Sequence, residues 1–494
     1  MRDLLFISAV IIIILIVFLR HGISDLRKQD NVKQVAERSV ANEPEIEGKR
    51  DFILKTDWES SEMPEAFMPG EVVDVNLGNT PQKNIQAVLF QLTGKLPPKE
   101  EVEKWMALLN ENPKLRRIDI AVKMAESLGK TPRYEYSDPW QKQPRLLTAP
   151  DKRVKRELGA VCMYFFGCPG GVNGKMGWAN NHAPGMDKPS EICKMNPEDS
   201  GYYNPENPGF WLMELLDARY AGLQFLLLNT YGPDLKGNAL GSLNKALLQI
   251  DSMGLDKPIK IGLFDDTWTW GQPHFDDFWK QRPDMLNAEA CAKTLFEAKW
   301  KPFFSAIPRK HWYLFKGRPL IYFYNSGTIQ NRYNSAPVFK LMKKMFKDEY
   351  GVEPYLCSDD AFWGSDTENY ADNRFKWYSL NKSADEASFK MNDVILAHSM
   401  VRWDSTAREN KQVERAGKTS DKIYKDDVFL KRLLNETHDS DLVVIATWND
   451  LGEGTGINRC YDYYWGGQWQ RPTHFMELIR ASQEGKMLTV ETRK

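Results

Sequence analysis

The sequence predicts an α/β fold: a (β/α)8 TIM barrel over residues 155–485, preceded by an N-terminal membrane segment (1–22), a polar linker (23–50) and a small, mainly helical module (51–145). Three observations carry this. Short apolar runs of strand length recur through the last two thirds of the chain. Stretches with apolar residues at helical spacing separate most of them, which implies parallel pairing, and eight such runs imply closure into a barrel rather than an open sheet. Roughly 330 residues is large for one domain but ordinary for a barrel with long loops.

Leu4–Leu19 (LLFISAVIIIILIVFL) is an unbroken run of sixteen residues with Arg2 before it and Arg20 and His21 after it. At about 1.5 Å per residue it spans about 24 Å, short of a bilayer core of about 30 Å, which suits either a signal-peptide core or a short anchor. No small-x-small cleavage site follows in RHGISDLRKQD, which favours an uncleaved signal-anchor. A very short N-terminal tail and a large body leave the body extracytoplasmic, in a periplasm, at a cell surface or in a lumen. The following residues, to about 50, are polar, charged and free of aromatics, as a tether would be. In the module, Pro97 and Pro98 open a helix with Glu100, Glu101 and Glu103 in its first turn and Val102, Trp105, Met106 and Leu109 at helical spacing. A second helix follows Pro113 and ends near Gly129. The segment FQLTGKLPPKEEVEKW resembles helical modules of some secreted bacterial proteins, and no chemistry is assigned to it.

The eight strands are expected at Ala160–Phe166, Gln224–Leu228, Lys260–Phe264, Leu320–Tyr324, Pro354–Cys357, Phe375–Tyr378, Val394–Ala397 and Leu442–Thr447. Helical patterns lie between them at Gly209–Tyr220, Ala239–Met253, Asn287–Phe304, Asn334–Tyr350 and Asp426–Thr437. Barrel active sites sit at the C-terminal ends of the strands. Those ends are polar: Cys168–His182, Asn229–Tyr231, Asp265–Trp270, Asn325, Asp359–Trp363, Arg402–Asp404 and Asp450–Glu453.

The last of these belongs to VVIATWNDLGEGTGINR, Val443 to Arg459, where a β-branched run breaks at Asn449 into a loop carrying Asp450 and Glu453 three residues apart. Trp448 stands in front, and Gly452, Gly454 and Gly456 let the chain turn tightly. Paired carboxylates beside an aromatic suit glycosidic-bond cleavage: one acid protonates the leaving oxygen, the second assists, and the indole stacks on the sugar. The alternative is a turn, a helix cap or a cation site. Trp268, Trp270, Trp363, Trp403 and Trp448 are either sugar platforms or core. Tyr322 and Tyr324 share a strand face and either offer lumenal hydroxyls or fill the barrel. Asp404 and Arg402 either bind hydroxyls or form an ion pair, and Asp265/Asp266 and Asp276/Asp277 either hold calcium or cap turns. His182, His274 and His311 lack metal-ligand spacing. Cys168 and Cys193 bracket the first long loop, while Cys162 and Cys357 read as core. A formal charge of −1 without a basic stripe argues against nucleic acid, and no phosphate-loop, dinucleotide or zinc spacing implies a cofactor.

The segment WNDLGEGT resembles the W-N-E-W-x-E-G-T signature of the endo-α-mannosidase family, glycoside hydrolase family 99, and of related bacterial barrels. KGRPLIYFYNS, VRWDSTARE and DDVFLKRLLNETHDSDLVVIATWNDLGEGTGIN extend the resemblance patchily over Ala160 to Arg459. It implies a retaining, endo-acting hydrolase of an α-linked glycan. Asp450 would take the proton of the sugar's own 2-hydroxyl, giving a 1,2-anhydro intermediate, and Glu453 would be the general acid/base. Asp265 or Asp266 would bind substrate, with Trp448 and Asn449 lining the same pocket. The departures are Asp450 where the family has Glu, which withdraws the carboxylate by about 1 Å, and Leu451 and Gly452 in place of its two intervening residues. A separate branch is therefore expected, its substrate mannan-like, with an α-glucan hydrolase or a non-catalytic glycan-binding barrel as the alternatives.

Overall fold

The structure is a computed structural model that describes residues 72–75, 77–78, 80–111, 117–135, 148–151, 154–164, 205, 208–230, 239–267, 282–324, 329–359, 370–377, 388–402, 426–450, 455–460, 463–465 and 468–490. The run 4–19 lies outside them, and among the described residues no helix is long and apolar enough to cross a membrane.

The module packs three helices, α1 (Pro81–Thr93), α2 (Lys99–Glu111) and α3 (Arg117–Ser127), with a short parallel pair, β1 (Val72–Asp74) and β2 (Arg133–Glu135). Helix α1 starts where Thr80 accepts a hydrogen bond from the Lys83 amide and Pro81 fixes the first turn; it stops at Gly94, whose φ of 71° needs no side chain. The acidic first turn of α2 and its buried Val102 and Trp105 follow the expected pattern, and α3 ends two residues before Gly129.

The barrel strands are β3 (Glu157–Met163), β4 (Phe225–Thr230), β5 (Lys260–Asp266), β7 (Arg318–Tyr324), β8 (Tyr355–Asp359), β9 (Asn373–Phe375), β11 (Val394–Met400) and β12 (Leu442–Ala446). A two-residue strand β6 (Leu314–Phe315) and a hairpin arm β10 (Ser388–Met391) pair antiparallel with β7 and β11. The sheet runs β10-β11-β12-β3-β4-β5-β7-β8-β9, and every other pair is parallel. Each of the eight parallel strands overlaps an expected run, because a strand covered on both faces reads as a continuous apolar segment. The expected closure is not complete. Strand β10 takes the edge of β11 that β9 would need; β9 meets β11 through side chains instead, Asn373 Nδ2 donating to the Val394 carbonyl at 3.4 Å and the Phe375 ring lying 4.9 Å from His398.

Helices cover the sheet: α4 (Pro208–Ala221), α5 (Ala239–Ser252), α6 (Ala288–Leu295) continuing through a π-turn at Phe296–Trp300 into α7 (Lys301–Ala306), α8 (Ser335–Tyr350), α9 (Val428–Glu436) and α10 (His474–Gln483). Alternation along each strand sends one set of side chains to these helices and the other into the lumen. On β7, Phe323 meets Phe339 of α8 edge-on at 4.6 Å, while Tyr322 lies 4.6 Å from the Phe375 ring of β9. Phe264, Tyr322, Phe375, Trp377 and His398 form one aromatic layer inside the barrel. Lower down, Phe225 lies over Gly159, where a Cβ would fall 2.2 Å from the ring, and stacks on Tyr313 at 3.8 Å.

Candidate active site

The loop after β12 is built from its own backbone inward. Trp448 extends the β12–β3 ladder by donating its amide to the Val161 carbonyl at 2.6 Å. Asn449 then pairs with the Met163 main chain in both directions, accepting its N–H at 2.6 Å and donating to its carbonyl at 2.9 Å. The Trp448 carbonyl accepts from Ile457 and Asn458 at 2.7 and 2.8 Å, and the Asp450 carbonyl from Thr455 and Gly456 at 3.0 and 3.1 Å. Thr447 Oγ1 accepts from the Asp450 amide at 2.9 Å and lies 2.8 Å from Thr455 Oγ1. The two ends of the segment that holds residues 451–454 are thus clamped together at the C-terminal end of the last strand.

Helix α4 clamps the loop from outside. Glu214 accepts from the Trp448 indole and from Asn458 Nδ2. One turn on, Asp217 takes Arg459 in a fork, Nε to Oδ2 at 2.9 Å and the guanidinium to Oδ1 at 2.6 Å, with both side chains at most 3% exposed. Arg402 donates to the Gly456 carbonyl at 2.5 Å, its guanidinium 4.6 Å from the Tyr463 ring and 4.9 Å from Phe475.

The strand register assigns the remaining groups. Asp265 and Asp266 are adjacent on β5 and so face opposite sides. Asp265 turns to the helices, where the π-turn brings two consecutive side chains onto it: Lys299 Nζ at 3.0 Å and Trp300 Nε1 at 2.8 Å, all fully buried. A lysine-paired carboxylate on the outer face is not a substrate ligand, which corrects the Asp265 expectation. Asp266, in register with Tyr324, has the parity of Phe264 and stands on the lumenal side, its Oδ2 3.4 Å from Asn229 Nδ2. Tyr324 is partly exposed and packs on Trp377 at 5.1 Å. Tyr322 is fully buried; beside the Cys357 thiol and packed on Phe375, it fills the barrel, and burial drives its phenol pKa well up. Trp448 is also fully buried with its indole N–H on Glu214, so it is no sugar platform, and the Asn449 amide is taken up by Met163. Both hold the loop instead. The Asp450 side chain is 2% exposed. Glu453, Trp268, Trp270, Trp363, Trp403 and Asp404 lie outside the described residues, as do Cys168, Cys193, His182, His274, Asp276 and Asp277.

Two residues stand in the lumen that the sequence did not single out as site residues. His398 sits among Tyr322, Phe375 and Trp377, and burial pushes its pKa down to about 3, so it is neutral. Its signal was parity: in VILAHSM it shares a face with Leu396 and Met400. Asn229, at the end of β4, was visible only as one of several polar strand ends. His311 is buried and bonds Asp251 at 3.0 Å, and Cys162 and Cys357 are buried free thiols. Among the described residues no three His, Cys, Asp or Glu side chains gather as a metal ion would require.

Fold and mouth together define a mostly parallel, nearly closed α/β barrel with acidic and aromatic side chains at the C-terminal ends of its strands. The chain belongs to the family described as a domain of unknown function (DUF5010), whose profile matches residues 175–492. No curated protein matches the sequence. Similar solved structures include the family 99 endo-α-mannosidase from Bacteroides thetaiotaomicron, at 14% identity over 66% of this chain and 96% of that one, TM-score 0.42. The same enzyme in complex with bis-tris propane (14%, 66% and 98%, TM-score 0.40) and a glycoside hydrolase-like protein (13%, 69% and 97%, TM-score 0.42) are two more.

Proposed function

We propose that this barrel is a retaining glycoside hydrolase acting on an α-linked glycan, mannan-like in the first instance, at the C-terminal mouth. The observation that carries the reading is the clamped loop: Asp450 leads directly into a segment whose ends are fixed by its own carbonyl and by Thr447, at the end of the last barrel strand. In this reading Asp450 takes the proton of the sugar 2-hydroxyl as that oxygen attacks C1, while Glu453 gives its proton to the departing glycosidic oxygen. Water then opens the 1,2-anhydro ring at C1, Glu453 receiving the water proton and Asp450 returning one to O2. Two inversions give net retention. The 4–19 run supports a body outside the cytoplasm; in cells fractionated into cytoplasmic and extracytoplasmic compartments, recovery of the body in the cytoplasmic fraction would refute that reading.

The test is reducing-end release from yeast α-mannan and from α-glucans by the full chain, beside Glu453→Gln and Asp450→Asn. Release by the wild type, reduced by about 10²–10⁴ in each variant, is expected for acid–base groups. Equal release by all three, or none from any polymer, would sink the assignment.

A further inference from the structure

The end of β4 holds an acceptor that the described fold leaves unmet. Asn229 is 2% exposed; its Nδ2 donates to Met163 Sδ at 3.1 Å and to Asp266 Oδ2 at 3.4 Å, while its Oδ1 is buried without a hydrogen-bond partner. The amide cannot simply be turned over. A carboxylate is acceptor-only when ionised, so rotation would set the Asn229 carbonyl against Asp266 and lose the contact that orients it. Its register partners on either side, Met163 and Phe264, offer no side-chain donor. Buried polar atoms without partners are rare in native folds, and at the end of a barrel strand the missing donor is most economically a ligand's.

The surroundings say what kind of donor. Asp266 is a second acceptor beside the first, and Tyr324, in register with Asp266 and partly exposed, packs near-parallel to Phe264 at 5.8 Å and tilted against Trp377 at 5.1 Å. An aromatic face beside two acceptors fits a pyranose, with C–H bonds on one face and hydroxyl donors at the edge.

Building on the glycan-hydrolase reading, we propose that Asn229 Oδ1 and the Asp266 carboxylate together accept from two neighbouring hydroxyls of an uncharged sugar ring. The subsite then selects a free vicinal diol and rejects one that carries sulfate or an acyl group. A sulfate or acyl ester removes the hydroxyl donor and leaves the buried Asn229 acceptor unmet, a loss expected to weaken binding at least about a hundredfold. A site built on hydrogen bonds to hydroxyls discriminates strongly against analogues that lack them.

The test is binding by the full chain to yeast α-mannan and dextran, each also in chemically sulfated and in O-acetylated form, by affinity electrophoresis and calorimetry. The wild type is expected to bind at least one neutral polymer and to bind its sulfated form at least about a hundredfold more weakly. Asn229→Leu, with the same branched skeleton but without the acceptor, is expected to lose about tenfold in affinity for the neutral polymer while still unfolding in one cooperative transition. Should Asn229→Leu fail to fold, Asn229→Ser, too short to reach the hydroxyl, serves the same comparison. Equal or tighter binding of the sulfated form, or unchanged binding by the folded variants, overturns the Asn229 subsite while leaving the glycan reading standing. Binding of no polymer overturns both.

Discussion

The Asp217–Arg459 fork is a buried, two-bond tie between the barrel wall and the loop that carries Asp450, and its removal is expected to have two separable effects. Asp217→Asn leaves a guanidinium that is 2% exposed without its carboxylate. Breaking one side of a buried pair costs about 3–5 kcal/mol. In a domain of this size each kcal/mol lowers the melting temperature by roughly 2–4 °C or less, so a fall on the order of 10 °C is expected by circular dichroism. The double variant Asp217→Leu/Arg459→Met replaces the pair with apolar side chains and should return stability close to wild type or above it, since buried pairs contribute little net stability over apolar replacements. Activity should not return with it. Arg459 closes the loop at Ile457–Arg459, and a displacement of about 1 Å at Asp450 costs about a hundredfold in rate. A single variant melting within about 1 °C of wild type would refute the energetic reasoning. A double variant with wild-type oligosaccharide release would show that the pair does not position the loop.

Three further outcomes follow from the lumen and the outer wall. His398 has a folded pKa of about 3 against 6.5 when unfolded, so between those values the unfolded chain holds the extra proton and stability rises with pH. Its contribution is complete above pH 6.5, and about 3 kcal/mol is lost by pH 4; urea unfolding of His398→Phe should show a pH profile flatter by that amount, and an identical profile would exclude the role. Lys299→Met strands the buried Asp265 carboxylate and should destabilise by about 3–5 kcal/mol in the same assay, whereas a neutral effect would mean that Trp300 alone suffices. Gly159→Ala drives a Cβ to within 2.5 Å of three Phe225 ring atoms and should cost about 1–3 kcal/mol, relieved by Phe225→Leu; persistence of the loss in the double variant would place the strain elsewhere.

Much of the barrel was legible because its strands are covered on both faces and appear as apolar runs, and strand ends were harder because they depend on partners. Strand β9 is Asn373–Phe375, upstream of the aromatic FKWY run that suggested it, since its pairing with Cys357–Asp359 sets the limits. The β10–β11 hairpin passed unread although Asn392 and Asp393, with φ of 50° and 57°, are residues suited to a tight two-residue turn. Trp448 and Asn449 were read as pocket residues because their types suit a pocket. Their actual partners, Glu214 and Met163, lie 234 and 286 residues away, and no local pattern announces a contact of that range.

Asp265 and Asp266 show where the boundary of such reading falls. Adjacent residues on one strand must part to opposite faces, so FDD could place only one carboxylate in the lumen, and parity with Gly262 and Phe264 already favours Asp266. Parity alone does not say that the other carboxylate is satisfied. That depends on the π-turn at Phe296–Trp300, where successive Lys299 and Trp300 side chains both reach Asp265, a geometry that a regular helix, stepping about 100° per residue, does not readily give to neighbours. The outer carboxylate is neutralised by the wall. The inner one stands on the lumenal side, 3.4 Å from the Asn229 amide nitrogen, whose companion oxygen has no partner. The parity of a single strand, secured by one helical irregularity, thus sends one carboxylate into the wall and the other to the side where the proposed subsite lies.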